Sequence, residues 1–457
     1  MVSGDHQRAR LSHAVQALIW LRPVPNGVAK HPYAAYLTTH LSVREDGIER
    51  GQVCMDVSQY EDAHGWKGGC RLEQEWSERI IGLMAPKTTP GTRNRARQDD
   101  RKPSVGEFEL IVRLKAVLDA SQDGGPGVPQ AIIGIGDDAA AVRRGSLTDL
   151  YTTDTLVDGT HFRSGEISWR DLGWKSMAVN QSDIAAMGGR PLYALITLGL
   201  PVDSRPQDIE EMYRGIADAC NRYGGRVVGG DIVRSPVLFV TVALTGEAAV
   251  LASTAADARA RANGAAPQSR GGNTGAALLR RDAARPGDLV AVTGPLGSSG
   301  GGLRALALGL RSPEVERLVR AHFHPEPRVP EGVALAEHGV LCAMDVSDGL
   351  VADMGKIAQM SGVGAQIDAG KLPVDPALTS LFPNDWMETA LGGGEDYELL
   401  FTAPGPVMTE AIAALGPRAA VIGEVITRPS AGAPVVEVIS GGKHIEVPHA
   451  GWDHLRE

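Results

Sequence analysis

The chain of 457 residues has few of the features that assign a function at sight. It carries four cysteines, Cys54, Cys70, Cys220 and Cys342. No two of them form a C-x-x-C pair, which excludes the common zinc knuckles and dithiol redox motifs. Their scatter suits free thiols in a reducing cytoplasm. No uninterrupted apolar run approaches the roughly 18–20 residues of a membrane span. The best N-terminal candidate, residues 14–21, is short and has no convincing cleavage site after it. A cytoplasmic location and no membrane partner are expected. There is no G-x-x-x-x-G-K-[ST] loop, no kinase-type catalytic Asp motif and no EF-hand spacing. Excess positive charge is also absent. With 45 Lys+Arg against 55 Asp+Glu the net charge is −10, which argues against a nucleic-acid partner.

What is present is an ordinary soluble composition, 43% hydrophobic and 22% charged, enough to bury real cores in about two to three domains. Residues 1–104 mix His, Arg and Gly with little periodicity and end in a charged run. They read as a poorly ordered extension of unknown role. From Gly106 the pattern is regular. Phe108, Ile111, Leu114 and Leu118 at helical spacing predict a helix over 107–119. Apolar strands over 131–135 and 150–156 follow, then a helix over about 169–187 that stops at Gly188-Gly189-Arg190-Pro191. Ile209, Met212, Tyr213, Ile216 and Cys220 share one face of a further helix. It ends at Gly224-Gly225, before a strand leading to Gly229-Gly230-Asp231, and another strand covers 237–244. Residues 251–279 are too poor in large apolar groups to offset their ordering entropy and read as a flexible linker. A second α/β block over 280–457 contains strands at 289–293, 341–344 and 398–402, with a glycine-rich turn at 297–302. The expected fold class is α/β (α+β), two domains, the first over 105–250.

Acidic residues recur where elements end: Asp137, Asp138, Asp154, Asp231, Asp345, Asp348, Glu395 and Asp396. A single Asp at a strand end usually caps the next helix or makes a turn. Six such junctions make that a poor account of all of them, and open α/β sheets place ligand sites at strand ends. Asp183 stands among small and apolar neighbours, with Ser176 and Asn180 on its helix face. A buried carboxylate needs a compensating cation or a set of donors, and a metal is the preferred reading. Two carboxylates about 4 Å apart repel by about 4 kcal/mol at an effective dielectric of 20. Carboxylates and the hydroxyls of Thr152 and Thr153 are hard oxygen ligands suited to magnesium, which bridges protein acids to phosphates. That reasoning leads from acid-rich loops to a nucleoside triphosphate.

In order along the chain, eight segments resemble the thiamine-monophosphate kinase family. This family belongs to the superfamily of aminoimidazole ribonucleotide synthetase and selenophosphate synthetase. They are Gly106-Glu107-Phe108, residues 134–139 (GIGDDA), residues 152–162 (TTDTLVDGTHF), residues 178–188, Gly229-Gly230-Asp231, residues 345–350 (DVSDGL), residues 393–399 (GGEDYEL) and Gly451-Trp452-Asp453-His454. The resemblance covers about residues 105–457. It implies transfer of the ATP γ-phosphoryl group to thiamine monophosphate, with several Mg2+ ions, ATP as co-substrate and a homodimer built on the first domain. By position it implies Asp138, Thr152, Thr153, Asp154, Asp183, Asp231, Asp345 and Asp348 as magnesium ligands, with Asp154, Asp183 and Asp348 central to catalysis. Gly230, Asp231, Arg281 and Ser347 match nucleotide-contacting positions. His161, Glu395 and Trp452 match positions that hold the thiamine phosphate; simple C-terminal packing is the alternative for Trp452.

Two departures touch the nucleotide site: Ile232 stands where the family has Thr, and Arg281-Asp282-Ala283-Ala284 where it has Arg-Ser-Gly-Ala. The extension and the linker have no recognised counterpart. Another superfamily member with a different acceptor, or a non-catalytic nucleotide-binding regulator, are the rival readings. The N-terminal reactive Cys and glycine-rich loop with Lys of a selenophosphate synthetase are missing, and the metal carboxylates that a regulator would lose are present.

Overall fold

The computed structural model describes residues 36–39, 53–56, 106–121, 131–249, 278–428, 430, 434–448 and 451–452. The chain divides into two units, residues 1–96 and 97–457. In the first, strands β1 (Tyr36–Thr39) and β2 (Val53–Asp56) pair antiparallel. Most of the expected extension, and residues 251–277 of the expected linker, lie outside the described residues. Among the described residues no helix is long and apolar enough to cross a membrane.

The second unit begins with α1 (Glu107–Ser121) and then builds two sheets. The first contains β3 (Ala131–Ile133), β4 (Ala140–Arg144), β5 (Leu147–Val157), β6 (Gly189–Leu200), β7 (Arg226–Arg234) and β8 (Phe239–Ala248), in the order β3-β4-β5-β8-β6-β7. Every pairing is antiparallel except β6 with β7. Two helices cover one face, α2 (Trp169–Ala186) and α3 (Pro206–Tyr223). Leu150, Ile196, Leu198, Val240, Val242 and Leu244 meet Met177, Ile184, Met212 and Ile216 there. Ser168 caps α2, accepting the Asp171 N–H at 3.0 Å, which satisfies one of the orphan donors of a helix start. The two helices approach unusually closely because each presents a glycine to the other's backbone. A Cβ on Gly173 would lie 1.8 Å from the Met212 carbonyl, and one on Gly215 1.8 Å from that of Arg170.

The second sheet runs β10-β12-β9-β13-β11-β14-β15, with β9 at Leu289–Val292, β10 at Cys342–Asp345, β11 at Gly364–Asp368, β12 at Leu399–Ala403, β13 at Ala420–Ile426, β14 at Val436–Ser440 and β15 at Lys443–His444. Strand alternation splits its side chains between two cores. Val290, Val292, Met344 and Leu400 face Leu350, Met354 and Ile357 of α7 (Leu350–Ser361). Ala291, Ala343, Leu399 and Phe401 face α6 (Val329–Glu337), the later helix Gly405–Leu415 and the end of α2 through Ala185 and Ala186. Leu278 and Leu279, the last two residues of the expected linker, are buried. The two halves are therefore joined by α2 in a shared core.

Three sequence expectations change. The segment 297–302 is the start of a helix more than a turn: Gly297 is the left-handed cap of α4 (Ser298–Ala307), and the other glycines lie in the helix. They are small because α4 packs against its neighbours without room for a side chain. A Cβ on Gly302 would lie 2.3 Å from the Leu318 carbonyl of α5 (Pro313–Phe323). Gly229-Gly230-Asp231 lies inside β7, where a Cβ on Gly230 would sit 1.9 Å from the Ile196 carbonyl. Asp154 is within β5, inside the strand expected over 150–156 although counted among the acids at element ends. In largely antiparallel sheets acids reach a site from strand faces as well as strand ends, so the strand-end argument does not hold for these two.

Candidate active site

Strand alternation decides which residues of β5 can reach α2. The Thr152 hydroxyl donates to the Asp183 carboxylate, and the Asp154 N–H donates to Asn180 Oδ1 at 3.0 Å. Thr153 and Thr155 therefore point to the opposite face, where Thr155 and Thr241 hydroxyls meet at 2.9 Å. The register Thr155–Thr241–Thr197–Asp231 puts Asp231 on that same face, away from α2. The expected ligand set thus divides: Thr152 and Asp183 are together, while Thr153 and Asp231 are across the sheet.

Asp183 meets acids from two other parts of the chain. Carboxylate oxygens of Asp138, Asp183 and Asp345 all lie within 4.8 Å of one another. Asp138 follows β3, and Asp345 ends β10 in the second domain, where it accepts from the Ser182 hydroxyl at 2.6 Å. Burial, with the neighbouring Asp154, Asp345 and Asp138 charges, holds Asp183 well above the usual carboxylate range. Asp345 is also raised, by burial and by Asp138. Burial and Asp138 push Asp137 up to about 7, against the pull of Arg281. Buried like charges of this kind call for a cation. Three convergent hard carboxylate oxygens, with the Thr152 hydroxyl beside them, fit a divalent ion such as magnesium.

Arg281 supplies one permanent positive charge at the edge of this group. Its guanidinium pairs with Asp138 and lies 3.8 Å from Asp137, and the Arg281 backbone N–H donates to Asp137 Oδ2 at 3.2 Å. Arg281 thus stands against the acidic corner, while Gly230 and Asp231, with which it was grouped as a nucleotide contact, lie in β7.

A second group lies on the other side of Asp345. The N–H groups of Ser347, Asp348 and Gly349 all donate to Asp353 Oδ2 at 3.0–3.1 Å. Lys356 pairs with both Asp348 and Asp353. The Trp452 backbone N–H donates to the Asp348 carbonyl at 3.0 Å, and the residue is 59% exposed. Asp453 and His454 lie outside the described residues. Glu395, at φ 65°, donates its N–H to the Ser347 carbonyl at 2.7 Å. Lys175 Nζ lies 3.0 Å from each Glu395 carboxylate oxygen, and His322 Nδ1 lies 3.3 Å from Oε2. Burial would raise the Glu395 pKa, but Lys175, His322 and His161 together hold it below the usual value. His161 is thereby within electrostatic reach of Glu395, and its Nδ1 accepts the Val157 N–H at 3.1 Å.

The sequence reading missed Lys175, His322, Asp353 and Lys356. Asp353 and Lys356 follow the matched segment 345–350 by one and two helical turns, which was a usable signal. Lys175 is a lone cation between Trp174 and Ser176 on an otherwise uncharged stretch of α2. His322, on α5, has no local signal.

Two family descriptions match the chain: "AIR synthase related protein, N-terminal domain" over residues 136–248 and "AIR synthase related protein, C-terminal domain" over 285–435. The fold and the acidic centre between its halves are those of a protein with two AIR synthase related domains. A thiamine-monophosphate kinase of Aquifex aeolicus is 36% identical over 309 residues, 66% of this chain and 88% of the relative. One from Bacillus subtilis is 36% identical over 307 residues, covering 65% and 83%. A solved structure, "AaThiL complexed with AMPPCP and TMP", superposes with a TM-score of 0.61 at 34% identity, covering 76% of this chain and 97% of that one. The chain belongs to the thiamine-monophosphate kinase family of AIR synthase related proteins.

Proposed function

We propose that the protein transfers the γ-phosphoryl group of ATP to the phosphate of thiamine monophosphate, giving thiamine diphosphate. The observation that carries this reading is the convergence of Asp138, Asp183 and Asp345, drawn from both domains, within 4.8 Å. The relatives named for the same reaction support it, as does a related structure holding AMPPCP and TMP. Magnesium would be held by Asp138, Thr152, Asp154, Asp183, Asp345 and Asp348, and would neutralise phosphate charge and bridge the polyphosphate to these acids. Thr153, Gly230 and Asp231, on β5 and β7, stand outside that set within one subunit. Ser347 and Arg281 would border the nucleotide.

A phosphate monoester, with a second pKa of about 6, is already an anionic nucleophile near neutrality. The reaction therefore asks for alignment and charge stabilisation more than for a general base. His161, Glu395 and Trp452 would align the thiamine end. The exposed Trp452 indole offers a π face to its cationic ring, an interaction worth about 0.5–2 kcal/mol. The reading includes a homodimer. The sheet face opposite α2 and α3 exposes Tyr151, Tyr193 and Leu195 at 45–54%, an apolar surface suited to a second copy. A cytoplasmic location agrees with Cys220 and Cys342 as free thiols.

The test is product analysis by mass spectrometry with purified protein, ATP, Mg2+ and thiamine monophosphate, each omitted in turn. Thiamine diphosphate only in the complete mixture supports the reading. ATP turnover without that product would replace it with another acceptor of the superfamily, and no turnover by folded protein with the regulatory alternative.

A further inference from the structure

Lys175 is among the largest fully buried side chains of the described residues, with 0% of its side chain exposed. A buried ammonium is costly unless paired and hydrogen-bonded, so its partner identifies its purpose. That partner is Glu395, on the loop before β12 in the other domain, with both carboxylate oxygens at 3.0 Å. Glu395 is also one of two described non-glycine residues with positive φ, the other being Tyr397 two residues on. Such conformations cost about 1–3 kcal/mol and persist where surrounding contacts over-determine them. Here the contacts are the Glu395 N–H on the Ser347 carbonyl, the Lys175 ammonium, and His322 Nδ1. The same His322 Nδ1 lies 2.9 Å from the Ser299 hydroxyl. Glu395 keeps 26% of its side chain exposed, so the clamped residue is not closed off from its surroundings.

We propose that Lys175 is the positioning residue for Glu395: it reaches from α2 across the domain boundary and fixes the carboxylate edge that binds thiamine monophosphate. The proposal rests on the functional reading above and extends it to a residue that does not itself face the ligand. Because the ammonium contacts both oxygens, loss of Lys175 loosens the carboxylate, while the acids of the nucleotide side keep their own partners, Asp138 on Arg281, Asp183 on Thr152 and Asp345 on Ser182. The effect is therefore confined to one substrate.

The experiment is steady-state kinetics of wild type, Lys175→Met, Glu395→Gln and the double variant, with urea unfolding of each. Lys175→Met should raise the KM for thiamine monophosphate at least tenfold and leave the KM for ATP within twofold. In the double variant the KM for thiamine monophosphate should equal that of Glu395→Gln alone, because Lys175 acts only through Glu395. The double variant carries no unpaired buried charge, so it keeps the comparison available if Lys175→Met alone does not fold. Unchanged KM for thiamine monophosphate in Lys175→Met, equal rises for both substrates, or additive effects in the double variant would overturn the proposal while leaving the functional reading in place. A wild-type protein that makes no thiamine diphosphate would instead overturn that reading, and this proposal with it.

Discussion

Exchanging glycine for alanine should have opposite signs at two helical sites of this protein. In an open helix position the exchange gains about 1 kcal/mol from backbone entropy and propensity. Gly355, inside α7, has nothing within 4 Å of an added Cβ, so Gly355→Ala should stabilise by up to about 1 kcal/mol. Gly215, inside α3, has the Arg170 carbonyl oxygen 1.8 Å from that Cβ, and the pair must part to at least 3.0 Å. Overpacking of this kind costs about 1–3 kcal/mol or more, and the gap it opens weakens the remaining contacts between the helices. Gly215→Ala should therefore lose about 1–3 kcal/mol net, read as a lower urea midpoint. Its consequence for activity is separate. Helix α2 carries Lys175, Ser182 and Asp183, and a shift of about 1 Å in catalytic groups can cost 10²-fold in rate. Equal or greater stability of Gly215→Ala would refute the account of the α2–α3 contact. Full activity with reduced stability would show that the displacement is absorbed by α3 alone.

Asp183→Asn should lower turnover by about 10²-fold or more through loss of a metal carboxylate, while metal-free stability at pH 7 stays equal or rises. Near-normal turnover would remove Asp183 from the site. His322 is held down to about 4, from 6.5, by burial and by the Lys175 charge, against Glu395. The unfolded chain takes up this proton first, so the stabilisation is complete above pH 6.5 and is lost as pH falls toward 4. The shift corresponds to about 3 kcal/mol. His322→Gln should flatten the urea midpoint between pH 7 and 4 relative to wild type, and an identical pH slope in the variant would contradict this. Leu195→Lys should convert a dimer to a monomer in sedimentation velocity; a monomeric wild type would remove the proposed sheet-face contact.

The sequence was most informative where one period governs packing. Ile209, Met212, Ile216 and Cys220 predicted the buried face of α3, and a burial requirement for Asp183 followed from its small neighbours. The acids of the centre were individually visible, but the meeting of Asp138 with Asp345 depends on how α2 joins two sheets. No local pattern encodes that. The division between Thr152 and Thr153 was available in principle, since adjacent strand residues face opposite ways; positional carry-over treated them alike. Lys175 and Glu395 are 220 residues apart, and only the fold reveals that a lysine amid an apolar helix has a partner. The glycines at 297–302 were ambiguous because tight turns and close helix packing use the same residue for different reasons.

Helix α2 has 14 of its 18 residues buried, and its surroundings come from both halves of the molecule. Neither half can release it alone. Its amides should exchange with solvent only through openings that separate both sheets at once, placing α2 at the top of the range of protection. The two domains then lose structure together in one transition. Substrate entry and product departure consequently fall to small movements of the rim, because a hinge between the domains would have to break the core that α2 shares with each.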